Sequence, residues 1–205
     1  MRRTKILATV IMIVILSGVL NAASVNKVEL YFNGALAFPL EPDEFSDYWK
    51  TSVLNLGGGI GHKIIPAISA NVYFDWCNFG FAGEKFARDM GVGGEVSISG
   101  LDASVMTIMG NLKAVVPSGQ IRPYFCGGVG LFILSIDDGY VSVDDFVIPV
   151  EGDSENAIGI NFGAGIEVTV AKTLDLFFDG RFVLGFTDVE STSILPLRTG
   201  IKVKL

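Results

Sequence analysis

The sequence predicts an all-β protein, an eight-stranded antiparallel up-and-down transmembrane β-barrel preceded by a cleavable signal peptide. Three observations carry that prediction. Apolar and polar side chains alternate with a period of two along most of the chain, short and long connections alternate between those stretches, and the N-terminus reads as an export leader.

The leader comes first in the chain. "MRRTK" is a basic n-region, "ILATVIMIVILSGVL" an uncharged apolar h-region, and "NAAS" supplies small residues where a signal peptidase can cut, after Ala22 or Ala23. An uncleaved spanning anchor would need about 20 apolar residues, and this run is shorter. No Cys follows the h-region, so nothing marks a lipoprotein. The expected organisation is a signal peptide over 1–23 and a barrel over 24–205. Removing Arg2, Arg3 and Lys5 with no acid takes the net charge from −7 to −10, which argues against a nucleic-acid partner, whose phosphates demand clustered Lys and Arg. Mean hydropathy is +0.51. Yet beyond the leader the longest stretch without a charge runs only from Pro123 to Ile136, too short to span as a helix.

Strands account for that hydrophobicity. In the first, Val28, Leu30, Phe32, Leu36 and Phe38 oppose Glu29, Tyr31, Asn33, Ala35 and Ala37. The second, near 52–62, holds Asn55 and the run Gly57 to Lys63, "GGGIGHK". The third, near 67–77, sets Ile68, Ala70, Val72, Phe74 and Trp76 against Ser69, Asn71, Tyr73 and Asp75. The fourth is expected near 101–115, and "GEVSISG" ahead of it reads either as an extension of that hairpin above the membrane or as an extra strand pair, leaving ten strands as an alternative. The fifth, near 122–136, is apolar on both phases; Phe125, Val129, Leu131 and Ile133 are assigned outward, with Gly127, Gly128 and Gly130 letting the wall curve or a lumenal side chain lie close. In the sixth, near 156–170, Ile158, Ile160, Phe162, Ala164, Ile166, Val168 and Val170 alternate with Gly159, Asn161, Gly163, Gly165, Glu167 and Thr169. The seventh, 174–186, opposes Leu174, Leu176, Phe178, Phe182, Leu184 and Phe186 to Asp175, Asp179 and Arg181. The last, 196–205, opposes Leu197, Ile201, Val203 and Leu205 to Arg198, Gly200, Lys202 and Lys204.

A soluble barrel alternates too, but it encloses its apolar face. Here no helical segments follow the strands to cover the greasy side, so that side is assigned to lipid and the polar side to the lumen. "HKIIPA", "VPSGQ" and "AKT" are short turns, whereas 39–51, 78–100, 137–156 and 187–195 are long and polar, as in barrels with tight periplasmic turns and long outer loops.

The chain resembles the small outer-membrane β-barrel superfamily, the OmpA/OmpX-like and opacity-type barrels. The leader, Met109 to Gly130 "MGNLKAVVPSGQIRPYFCGGVG", Phe162 to Val168 "FGAGIEV" and the terminal "TGIKVKL" carry the resemblance. The resemblance implies a porin-like transmembrane strand barrel in the outer membrane of a Gram-negative envelope, with lipid as its surroundings and no cofactor. It also implies that Thr199, Gly200, Val203 and Leu205 form the signal read by the barrel-assembly machinery, ending in Leu where such proteins typically end in Phe.

Eight strands leave an interior just wide enough for side chains to fill. The expected lumen network is Glu29, Asp75, Glu167, Asp175 and Asp179 against Lys113, Arg181, Arg198, Lys202 and Lys204, with Tyr31, Asn55, Asn71, Tyr73 and Asn111 among them. Near-equal signs at this width favour a salt-bridged plug over an ion path. No catalytic site is expected: the one His, His62, falls beside a short turn with no nucleophile supplied. "GGGIGHK" fails as a phosphate loop, since His62 replaces the Gly before Lys63 and Ile64 stands where Ser or Thr is required. Cys77 and Cys126 are expected to lie too far apart along their strands for a disulfide.

The outer loops are acidic. "PLEPDEFSDYWK" mixes four acids with Phe45, Tyr48 and Trp49, and the third loop, with Asp137, Asp138, Asp144 and Asp145, holds seven acids and no base. Such loops are self-repelling solvated surface, or they present carboxylates and aromatics to a divalent cation or a basic partner. The expected function is non-enzymatic: a monomeric barrel acting structurally or in surface interaction and adhesion. A narrow channel for small solutes and a soluble periplasmic ligand-binding barrel are the alternatives.

Overall fold

The structure, a computed structural model, describes residues 28–205 apart from 93–95, 117–118, 144–145 and 189. The expected leader lies outside the described residues. The elements in chain order are β1 (Val28–Glu41), α1 (Asp43–Tyr48), β2 (Ser52–Ile65), β3 (Ile68–Phe79), α2 (Gly83–Asp89), β4 (Val96–Gly100), β5 (Ala103–Val115), β6 (Ile121–Ile136), β7 (Gly139–Val143), β8 (Phe146–Val150), β9 (Asp153–Ala171), β10 (Leu174–Gly185) and β11 (Thr192–Lys204). Eight of the strands close a barrel in the order β1-β11-β10-β9-β6-β5-β3-β2. Every neighbouring pair is antiparallel, and first and last strands seal the wall with Glu29 opposite Lys204 and Leu36 opposite Leu197.

The alternation in the sequence sets which side chain faces where. Along β9, Ile158, Phe162, Ile166 and Val170 are exposed on the outer face, Ile158 at 64% and Phe162 at 59%, while Asn161 and Glu167 between them are buried. From Ile158 to Val170 at ~3.3 Å per residue and a tilt of ~40°, this apolar stripe stands about 30 Å tall, enough for the ~25 Å apolar band of a membrane barrel. β6 takes the phase assigned from sequence: Phe125 is 71% exposed and Val129 and Leu131 are exposed, while Tyr124, Cys126 and Phe132 are buried.

Connections β2–β3, β5–β6 and β9–β10 lie at one end, the lower one, together with the start of β1 and the end of β11. The upper connections are longer and more structured than polar loops. α1 and α2 lie in the first two, and β4, β7 and β8 build a separate three-stranded sheet in the order β4-β7-β8. The Val96–Gly100 part of "GEVSISG" therefore joins neither the barrel wall nor a ten-stranded closure. It pairs with the third loop, Val96 opposite Val143 and Gly100 opposite Gly139. The chain passes from this sheet into β5 through Gly100 and Leu101, at φ of 78° and 60°. A Cβ on Gly100 would press on the carbonyl oxygen of Asp138, so the turn requires glycine twice over.

Candidate functional site: the barrel lumen and its cap

Inward positions along the strands divide the lumen into three levels. At the lower end Glu167 on β9 takes Lys113 from β5 on one oxygen and Lys202 from β11 at 2.6 Å on the other. Lys202 also lies 2.9 Å from Asp175 and 3.4 Å from Glu29. Lys204 closes on Asp175 at 2.8 Å. Tyr31 donates its hydroxyl to Glu29 at 2.6 Å and accepts from Lys113 Nζ at 3.1 Å. One further cation takes part, Arg122 on β6, whose Nη2 reaches Glu167 at 3.2 Å and Asp175 at 2.5 Å. The sequence reading placed no role on Arg122. Its signal was the strand phase: Arg122 shares parity with Tyr124 and Cys126, both buried.

The second level lies at mid-height. Arg198, fully buried, sends Nε and Nη2 to the two oxygens of Asp179 at 2.8 Å each and Nη1 to Asp75 at 2.9 Å. Arg181 reaches the same Asp179 at 3.2 Å, and Tyr124 donates its hydroxyl to it at 2.8 Å. Both guanidinium groups stack over the Tyr73 ring, at 4.4 Å and 4.8 Å from its centre. Two carboxylates and two guanidiniums balance, so burial leaves no net charge uncompensated. The glycines of "GGGIGHK" make room for this: a Cβ on Gly57 would collide with Asp75 and Asn33, on Gly59 with the Tyr73 ring, and on Gly61 with Asn71.

The third level is apolar. Ala37, Cys77, Phe79, Ala103, Val105, Met109, Phe132, Val183 and Ile194 form one cluster, and Phe45 from α1 drops into it from above. Phe45 is only 5% exposed and packs edge-on to Phe79 with ring centres 5.3 Å apart. This corrects the expectation that Phe45 is an interaction residue of the first loop, because burying its ring against the barrel interior stabilises more than leaving it in water. Trp49 is half-buried, 5.0 Å from Phe81, with its indole N–H donated to Leu101 O at 2.9 Å. Tyr48 lies edge-on to Phe86 at 5.0 Å with the Lys85 ammonium over its ring at 5.4 Å. These aromatics hold the first two upper loops together as a cap. Asp137 and Asp138 remain exposed, Asp138 accepting the Gly152 N–H at 2.7 Å; Asp144 and Asp145 lie outside the described residues.

Other candidates fall apart in space. His62 shares the outward face of β2 with Ile60 and Ile64, near the lower turn and opposite Ala70, far from the cap. Cys77 pairs with Val105 and Cys126 with Lys113, eight residues apart along β5 or about 26 Å, and both thiols are free and buried. Thr199 on β11 is exposed on the outer face with Val203 half-buried beside it, Leu205 just past the strand is exposed, and Gly200 faces in against Phe177. Among the described residues no group of three or more His, Cys, Asp and Glu is arranged to hold a metal ion.

A closed barrel, apolar outside and ion-paired through the lower part of its lumen, defines the class: by fold and by surface the chain is a small transmembrane β-barrel protein. Solved structures agree at the level of fold. Neisserial surface protein A matches with a TM-score of 0.58 and 14% identity over 87% of this chain and 97% of that one. The outer membrane protein OprG from Pseudomonas aeruginosa matches with 0.52 and 10% identity over 88% and 96%. No protein-family model and no curated protein matches the sequence.

Proposed function

We propose that this chain, exported with removal of residues 1–23, is a non-catalytic outer-membrane barrel with a closed lumen that presents acidic loops to the exterior. The observation that carries the reading is the continuity of the interior: two ion-paired levels lead into an apolar level stoppered by Phe45, with one cavity of about 10 Å³ where the middle level meets the apolar one and another of about 10 Å³ at the lower mouth. A cavity that size holds about one water and is no continuous path for hydrated ions. The exposed carboxylates of the third loop, with Asp144 and Asp145 beside them in sequence, supply charge for a basic partner or a divalent cation in surface interaction or adhesion. Lipid packs the outer face, and the outward residues Thr199, Val203 and Leu205, with Gly200, serve as the assembly machinery's recognition element. The barrel is read as acting as a monomer.

The test is single-channel recording of the mature chain refolded into a planar bilayer, after a compact, heat-modifiable band confirms folding. Silence is expected. Steady, reproducible current would overturn the closed lumen and make the inner charges the lining of a solute path.

A further inference from the structure

We propose that the lower mouth of the lumen binds one small inorganic anion of the chloride class. A cavity of about 10 Å³ opens there, lined by Lys63, Ser69, Lys113, Arg122 and Lys202 together with Glu29 and Glu167. It has room for about one solvent-sized particle. Ser69 is 3% exposed, and its hydroxyl has no hydrogen-bond partner; neither has the buried Nε–H of Arg122. Each is a donor in want of an acceptor, and leaving such groups unsatisfied is costly.

The charge at this level points the same way. Lys63, Lys113, Arg122, Lys202 and Lys204 stand against only Glu29, Glu167 and Asp175, whereas the level above is balanced. Lys63 forms no ion pair among the described residues, while the others are each held by a carboxylate. Glu167 is already engaged by Lys113, Arg122 and Lys202, and Glu29 by Tyr31 and Lys202, so neither carboxylate is free to claim the cavity for a cation. A halide accepts hydrogen bonds without needing to donate any, which suits the Ser69 hydroxyl and the Arg122 Nε–H, and it offsets the surplus positive charge in a poorly hydrated mouth. This inference stands on the lower level alone and does not depend on what the loops bind.

The experiment replaces chloride with bromide in crystals of the refolded mature chain and looks for anomalous scattering. The expected result is a peak within hydrogen-bonding distance of Ser69 Oγ. In parallel, the unfolding midpoint is measured at constant ionic strength with chloride exchanged for gluconate, which is too large to enter. The wild type should lose a few degrees, and Ser69→Ala and Lys63→Gln should lose the difference between the two salts. Lys63→Gln breaks none of the lumenal ion pairs, so its folding is a fair control. A water with no bromide signal at the site, or an equal midpoint in both salts, overturns the proposal. So does a bromide peak that persists unchanged in both variants.

Discussion

The lower two-thirds of the lumen and its upper third solve one packing problem with opposite chemistry. Below, Arg198, Asp179, Lys202 and Glu167 fill space with charge that burial forces into pairs; above, Phe132, Val105, Ile194 and Phe45 fill it with hydrocarbon. A cavity of about 10 Å³ lies at the lower mouth and another of the same size where the ionic and apolar regions meet. The two regions differ in tolerance. An apolar layer loses contacts in proportion to what is removed, whereas an ion-paired layer fails abruptly, because deleting one partner strands the others without water.

The sharpest way to break this contrast is Arg198→Leu. It leaves Arg181 as the only cation on Asp179 and Asp75 with none, and removing one partner from a buried pair costs about 3–5 kcal/mol. A urea titration of the barrel in lipid vesicles reads it. Asp75→Leu/Arg198→Leu, which removes one charge of each sign and leaves Asp179 paired with Arg181, should recover a large part of the loss. If the double variant is no better than the single, the pairing account of the lower lumen fails.

Phe132→Ala tests the upper level. Phe to Ala in a packed core costs about 3–5 kcal/mol, and the low end is expected because the Phe45 cap can settle into the space. Two glycines rank next. Gly57→Ala drives a Cβ into Asp75, Asn33 and the Phe74 carbonyl and should cost about 1–3 kcal/mol, as overpacking does. Gly34→Ala meets only Asn55 O at 3.6 Å and should be nearly neutral by the same titration. Equal costs would mean that Gly57 matters for backbone conformation and not for the room it leaves.

The same contrast explains what was legible from sequence. Period-two alternation reveals a face only where the two faces differ in polarity. The lower lumen was therefore readable residue by residue: Asp175 and Asp179 alternate with Leu174, Leu176 and Phe178, and they point inward. In the upper lumen both faces are apolar. Val105 beside Met106 and Val183 beside Leu184 give no phase, so the third level was legible only at Ala37 and through the outward phase assigned to Phe125, Val129, Leu131 and Ile133. Arg122 carries the inward parity of that same strand, yet the pairing of its guanidinium with Glu167 and Asp175 shows only in the fold. The cap was misread for another reason: Phe45 lies among four acids that made its loop look wholly solvated, and only the fold shows an apolar mouth below for it to enter. β7 and β8 were hidden similarly, as "GYVSV" and "FVIPV" are embedded in an acidic segment read as an open loop.

The smallest expected effect belongs to the surface of the cap. Lys85 pairs with Asp47 at 3.2 Å, linking α2 to the α1 segment, but both side chains are exposed, at 44% and 62%. Exposed pairs are screened and must hold two flexible chains in one geometry, so Lys85→Ala should cost less than about 1 kcal/mol. Part of even that small loss would come from the Tyr48 ring that the ammonium covers. Double-mutant analysis with Asp47→Ala separates the two. If the coupling instead rivals the cost of Arg198→Leu, the cap is held by its charges and not by Phe45, Trp49, Phe81 and Phe86, and the division of this molecule into an ionic base and an apolar, aromatic-sealed top is wrong at the level where a partner would meet it.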